Sequence, residues 1–536
     1  MTSAADHLLV APILIPFFAG ALMLLLGGDR RRGTRTALGL ASALALLAVA
    51  VALLGRAARG EPGTYLLGDW PAPFGILLVH DRLSAAMLAL VAVLAIPALI
   101  QAAAGWQRQG QFFQPLFQFL LMGLNGAFLT GDLFNLFVFF EVLLAASYGL
   151  LLHGSGLPRV RAGLRYIAVN LTASLMFLIG ISLVYGVTGT LNMAHLSRLV
   201  PGLAEADRLL LHLGAAFLAL AFLVKAGAWP LSFWLPAAYA AAAPPVAAMF
   251  AILTKVGVYA VLRLSTLLFG TGAGASAGFG SEVLAMGGLA TIGMGALGVL
   301  GSRTLAHMAG NLVLVSSGTS LAVTGFALAG AGGGVLAGGL HYLVASTLAC
   351  SALFLLVGPL GRDQDGVAVA PLPTSDDDPT DTEDEAAEPQ GPPMPGALAA
   401  LGLCFAGSAL VLAGLPPLPG FLGKLAILSA LLDAEGLRLP PSLAWAFMIL
   451  LLLSGLAALI GLMRVGIRVF WTSEEPPPRA WLLEVGPVAG LLAVLVLLTM
   501  GAEPVQRHMQ ATAAALLAMP QQTEEILLAP RAEDQP

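Results

Sequence analysis

Residues 221–263 read AFLVKAGAWPLSFWLPAAYAAAAPPVAAMFAILTKVGVYAVLR. Lys225 and Lys255 stand in this apolar stretch, which contains no acid. Gly227, Pro230 and Pro236 follow Lys225 closely and break the helix, because glycine is permissive and proline removes a backbone donor. Pro244 and Pro245 open a second run, with Lys255 near its middle. Interrupted backbone at membrane depth is tolerated only where it is buried in protein or lines a water-filled cavity. Discontinuous helices of this kind build ion sites in transporters.

The rest of the chain agrees. Of 536 residues, 58% are hydrophobic and 10% are charged, and mean hydropathy is +0.89. A soluble domain is about half apolar and about a quarter charged. The balance excludes a soluble enzyme, a disordered chain and a nucleic-acid binder, and indicates an all-α polytopic membrane protein. Apolar runs fall at 8–27, 37–55, 82–105, 114–130, 132–152, 163–188, 209–226 (with a short continuation at 230–241), 244–267, 283–301, 304–325, 332–358, 396–433, 443–470 and 482–500. This predicts about fourteen spans. Val10 to Leu26 reads as the first of them and not as a cleaved signal. Arginines crowd the odd loops, for example Arg30, Arg31, Arg32 and Arg35 in the first and Arg159, Arg161 and Arg165 in the fifth. The positive-inside rule then puts odd loops in the cytoplasm and both termini outside.

Asp363 to Pro395 differs from everything around it. It holds ten acids and no Lys or Arg, which leaves 20 acids against 25 bases elsewhere and turns the net charge of −5 into +5. Such a segment cannot bury a core and reads as an acidic disordered linker outside the transport path. The expected organisation is N-terminal spans at 1–105, a first repeat at 106–241 ending in a broken helix, and central spans opening a second repeat at 242–362. The linker at 363–395, a broken helix with the last spans at 396–500, and a tail at 501–536 follow. Ala511 to Met519 in that tail reads as a membrane-surface segment. Cys350 and Cys404 lie in apolar runs, so no disulfide framework is expected. No metal-ligand cluster, phosphate loop or cofactor motif is visible, and no cofactor is expected.

The charges inside spans carry the functional reading. The chain has 22 arginines and only three lysines, Lys225, Lys255 and Lys424, each in an apolar stretch. Arginine stays charged, whereas a desolvated lysine is able to release its proton near neutral pH. Codon bias explains scarce lysine; it does not explain why all three are intramembrane. Glu141 is the sole charge of its span, nine residues after Asp132, or about 13 Å along a helix. An intramembrane charge normally pairs or lines a water path, and Lys225 is the matching cation. Lys424 follows a second break, Gly414-Leu-Pro-Pro-Leu-Pro419-Gly-Phe-Leu-Gly423. Broken segments in both halves point to inverted repeats. His341 is the imidazole of the span between Lys255 and Lys424 and is suited to proton shuttling. Alternatively it is a packing residue. His307 lies near the start of its span and reads as structural.

The stretch from Lys225 through Tyr239, Pro244 and Pro245 to Arg263 resembles the signature of antiporter-like membrane subunits. These include complex I proton-pumping subunits, membrane hydrogenase subunits and the large subunits of Mrp-type cation/proton antiporters. Gly131-Asp-Leu-Phe-Asn-Leu-Phe-Val-Phe-Phe-Glu141 through Tyr148 is most similar to the D-type subunits of Mrp antiporters, with Ser147 where complex I relatives more often have proline. The end of the chain about 36 residues after the last span argues against the complex I subunit with a long lateral helix. It also argues against the much longer A-type Mrp subunits. The resemblance implies fourteen spans in two inverted five-helix repeats, a Glu141–Lys225 pair, and a polar axis continued by Lys255 and Lys424. Ala345 and Cys350 stand where relatives often carry His and Lys, so the middle of that axis rests on His341 or water. The implied function is secondary antiport of a monovalent cation, Na⁺ first, against H⁺, without enzymatic chemistry. The implied setting is a bacterial inner membrane, with lipid and subunits of the Mrp A, B, C, E, F and G type as partners and no nucleic acid. The alternatives are a proton-translocating subunit of a complex I-like dehydrogenase or a membrane-bound hydrogenase, and a non-transporting scaffold.

Overall fold

The computed structural model describes residues 7–26, 31–70, 75–361, 396–470 and 481–528. The acidic segment expected as a linker lies outside the described residues. The chain is a helical membrane bundle: α1 (Ala11–Leu25), α2 (Arg32–Ala58), a small antiparallel hairpin of β1 (Gly63–Leu66) and β2 (Leu77–His80), then α3 (Arg82–Ala103), α4 (Phe113–Leu129), α5 (Leu133–Leu152), α6 (Leu157–Thr188), α7 (Met193–Leu199) and α8 (Glu205–Ala226). These are followed by α9 (Leu235–Ala241), α10 (Pro244–Phe269), α11 (Ser281–Gly301), α12 (Leu305–Phe326), α13 (Gly332–Gly361), α14 (Ala397–Ala413), α15 (Pro419–Leu432), α16 (Pro441–Phe470), α17 (Leu482–Met500) and α18 (Ala502–Leu528). Ten segments among the described residues are long and apolar enough to cross a membrane, and one of them, Leu305–Leu360, runs through α12 and α13. Four shorter apolar helices, including both pieces around the second break, accompany them.

The helix at the centre is α10. Pro244 and Pro245 occupy its first turn, where a missing N–H costs nothing. Its apolar residues run right round the cylinder and are buried throughout, as expected of a helix surrounded by others. Gly257 lets it approach α8 backbone to backbone: a Cβ there would lie 2.7 Å from Phe222 O and from Ala226 N. Small residues at such crossings are how membrane helices pack, since lipid offers no hydrophobic drive between them. Leu14, Phe18, Leu171, Leu297 and Leu403 face outward, as lipid-facing residues do.

At the end of the bundle bearing the even-numbered loops, backbone pairing stitches the connections together. Leu78 bridges Thr130, and Asp132 bridges Asn192. Caps start the helices there: Asp81 and Ser84 form a reciprocal box before α3, and Asp132 accepts from the Asn135 amide at 2.8 Å before α5. At the other end Thr304 caps α12, and its hydroxyl meets His307 Nδ1 at 2.9 Å.

Two features depart from the sequence reading. The tail is a 27-residue helix, α18, seated on the bundle against α13, α10, α7 and α3. Met509, Thr512, Ala513 and Leu516 are buried in that seat. The second is a charge inside a span that the sequence reading did not weigh. Arg263 is buried in α10 and donates to Asp81 from its two terminal guanidinium nitrogens, one of them at 3.0 Å, while also donating to Tyr259 Oη at 2.9 Å. Burial alone would raise the Asp81 carboxyl, but the Arg263 charge overrides it and holds the group below the usual carboxylate range.

A row of buried cations at the helix breaks

The first break follows the last turn of α8, which carries Lys225 and is capped by Gly227 at φ 70°. A left-handed residue is the ordinary way to stop a helix and turn the chain, and glycine takes it without penalty. The second break repeats the arrangement: α14 ends at Ala413, Gly414 adopts φ 77°, and α15 restarts at Pro419 with Lys424 in its second turn. Both lysines therefore stand beside the C-terminal, negative end of a half-helix.

Lys424 Nζ donates to the Ala413 carbonyl at 3.2 Å and lies 6.0 Å from the Tyr342 ring centroid. Gly414 and Gly455 form its cradle: a Cβ on either would come within 3.1 Å of Nζ. Gly423 brings α15 against the α13 backbone at Tyr342: a Cβ there would lie 2.8 Å from the Tyr342 Cα.

Lys255 is buried in mid α10, and its Nζ donates to Ser317 Oγ on α12 at 3.1 Å. Cys350 of α13 lies close by. The neighbouring Ser316 and Ser346 hydroxyls pair at 2.7 Å. Hydroxyls thus populate the region between Lys255 and Lys424. Tyr342, Ser346 and Cys350 recur at four-residue intervals on one face of α13.

Glu141 sits half-buried in α5, where Ser174 Oγ of α6 donates to its Oε1. Lys225 is near enough to interact with it electrostatically, yet among the described residues neither a hydrogen bond nor an ion pair joins them. The Lys225 ammonium lies 5.1 Å from the Phe140 ring centroid, a cation–π distance. His341 is buried in α13, one residue from Tyr342 and so about 100° round the helix. Its polar neighbour is Gln506 of α18. The structure thus sets Glu141 near Lys225, Lys255 with Ser317, and Lys424 with Tyr342 and Ala413, while His341 meets α18.

Sequence reasoning passed over Asp81 and Arg263. The signals were present: Asp81 opens an apolar run with serine three residues on, and Arg263 is the one arginine of the 244–267 run. It also passed over Ser174 and Tyr342, for which no local signal exists.

Compared with known proteins, residues 130–454 match the family model described as NADH:quinone oxidoreductase/Mrp antiporter, TM. The chain is 52% identical to a Rhizobium meliloti protein named as the D subunit of a probable K(+)/H(+) antiporter, with 100% of each chain covered. It is 31% identical to a protein of Alkalihalophilus pseudofirmus named as the D subunit of a Na(+)/H(+) antiporter, covering 94% of this chain and 96% of that one. Among solved structures, a chain of the Mrp complex from Dietzia sp. DQ12-45-1b superposes with a TM-score of 0.81 at 26% identity, covering 98% of this chain and 100% of that one. A chain of respiratory complex I from Thermus thermophilus superposes with a TM-score of 0.73 at 22% identity, covering 96% and 99%, and so shares the fold.

Proposed function

The chain belongs to the NADH:quinone oxidoreductase/Mrp antiporter transmembrane family, and on that premise we propose that it is a membrane subunit of a multisubunit monovalent cation/proton antiporter. It serves transport and is not an enzyme, it works beside other subunits of the Mrp type, and it sits in the bacterial inner membrane with both termini outside. The observation that carries the reading is the row of three buried lysines at or between helix breaks with one half-buried acid at its start. Buried charges of this kind are costly and serve ion or proton paths.

In this reading Glu141 takes the proton first. Its charge favours the ammonium form of Lys225. When a proton or cation neutralises Glu141, Lys225 loses that support and passes its own proton on to Lys255. The hydroxyls of Ser317, Ser316 and Ser346 lead towards Tyr342 and Lys424, with His341 as the imidazole of the intervening span. Relatives named for K⁺ and for Na⁺ support a monovalent cation, and the 52% identity of the K⁺-named one favours K⁺ over the Na⁺ first expected.

The test is cation-driven proton flux in vesicles carrying the whole complex, with K⁺ and Na⁺ compared. Glu141→Ala and Lys225→Ala each abolish flux at normal assembly. Flux at the wild-type level in either variant would remove the pair from the mechanism.

A further inference from the structure

A cavity of about 10 Å³ lies among α5, α6, the end of α8 and the α9–α10 region, lined by Lys225, Trp234, Tyr239, Asn170 and Tyr166 with apolar neighbours. That is room for about one water. Three polar atoms of its lining have no hydrogen-bond partner: Lys225 Nζ, Trp234 Nε1 and Tyr239 Oη. The three residues are only 6%, 3% and 1% exposed. Buried polar atoms are nearly always paired, so three unpaired ones round a single void mark a site for a small hydrogen-bonding occupant.

The donor chemistry identifies it. The Lys225 ammonium and the Trp234 indole N–H only donate, whereas the Tyr239 hydroxyl both donates and accepts. Asn170 commits its amide nitrogen to Tyr166 O at 2.8 Å, which leaves its amide oxygen as an acceptor. Two donors and two acceptors match one water, which accepts twice and donates twice. On its far side Tyr239 neighbours Thr254 of α10, whose hydroxyl donates to Ala251 O at 3.1 Å and so keeps its lone pairs free to accept from the phenol.

Resting on the antiporter reading above, we propose that this cavity holds one water linking Lys225 to Tyr239, and that the Tyr239 hydroxyl is the relay between Lys225 and Lys255. The step balances as a hydrogen-bonded exchange. A Lys225 N–H bond breaks as an O–H bond forms on the water. The water gives one of its own protons to Tyr239 Oη, and the original phenolic proton leaves on the Thr254 side for a neutral Lys255. Tyr239 ends as it began, a neutral phenol. Trp234 is a positioning residue: its N–H fixes the water, and its ring packs on Tyr166 and Tyr239 with centroids 5.2 and 6.2 Å away.

The experiment measures cation-driven proton flux in vesicles of the assembled complex. Tyr239→Phe removes only the hydroxyl and keeps the ring contacts with Phe250 and Phe354. At unchanged complex level it lowers flux at least about tenfold, the scale of a lost proton-transfer group. Tyr239→His, which restores a group able to exchange protons, recovers much of that flux and adds a pH dependence near the imidazole range of about 6.5. Wild-type flux in Tyr239→Phe overturns the proposal, as does a Tyr239→His variant no better than Tyr239→Phe at equal assembly. If Glu141→Ala and Lys225→Ala abolish flux while Tyr239→Phe does not, the relay alone is wrong. If all of these variants transport normally, the antiporter path through this protein fails as well.

Discussion

Lysine suits the three intramembrane positions and arginine does not, because a relay group has to release the proton it holds. At Lys424 burial opposes the charge while the Ala413 carbonyl and the helix end support it. Lys424→Arg keeps that charge, yet it is expected to stop cation-driven proton flux in vesicles; normal flux would make Lys424 a fixed electrostatic post. Asp81 and Arg263 illustrate the opposite choice, a pair that is meant to stay charged. Asp81→Asn removes the carboxylate that pairs with a buried guanidinium, and the expected loss is about 3–5 kcal/mol, read as a lower melting temperature in detergent. A carboxyl held below its unfolded pKa stabilises above that value, about 4, and loses the effect only as pH falls through the lowered one. Melting temperature between pH 6 and 8 is therefore expected to show no step from this pair.

At the scale of elements, the breaks matter less as kinks than as places where a helix end faces a charge. Gly227 and Gly414 stop their helices in the left-handed region, which leaves Lys225 in the last turn of α8 and the Ala413 carbonyl of α14 on Lys424. Close crossings then set the spacing of the row. Gly257→Ala places a methyl group 2.7 Å from two backbone atoms of α8, and overpacking of this kind costs about 1–3 kcal/mol. Because the displaced segment is the turn of Lys225 itself, we expect both a lower melting temperature and reduced flux. Loss of stability without loss of flux would show that the α8–α10 spacing does not set the path.

At the scale of the whole molecule, the C-terminal helix ties separate parts of the bundle together. It bridges α3, α7, α10 and α13 at the end where the hairpin and the even-numbered connections meet. A cavity of about 650 Å³ lies beneath its alanines, with Asp81 and Arg263 in the wall. Leu516 is completely enclosed in the seat. Leu516→Ala is expected to cost about 2–5 kcal/mol, measured by thermal unfolding of the purified protein. An unchanged melting temperature would show that α18 rests on the bundle without stabilising it.

The sequence by itself determined that this is a multi-pass helical membrane protein, where its helices break, and that Glu141 and the three lysines lie inside them. Those properties are local: apolar run length, the backbone demands of glycine and proline, and the cost of a charge in hydrocarbon are all readable within one segment. The company each charge keeps was decided only by the tertiary structure. Ser174 reaches Glu141 across 33 residues, Ser317 reaches Lys255 across 62, and Arg263 reaches Asp81 across 182. Serine and tyrosine in an apolar run announce nothing until packing turns them towards a partner. His341 shows the same limit, since only the angle between neighbouring residues of α13 assigns it to α18 and Tyr342 to Lys424. Helix periodicity tells which residues share a face, but which neighbour that face meets depends on how the whole bundle closes.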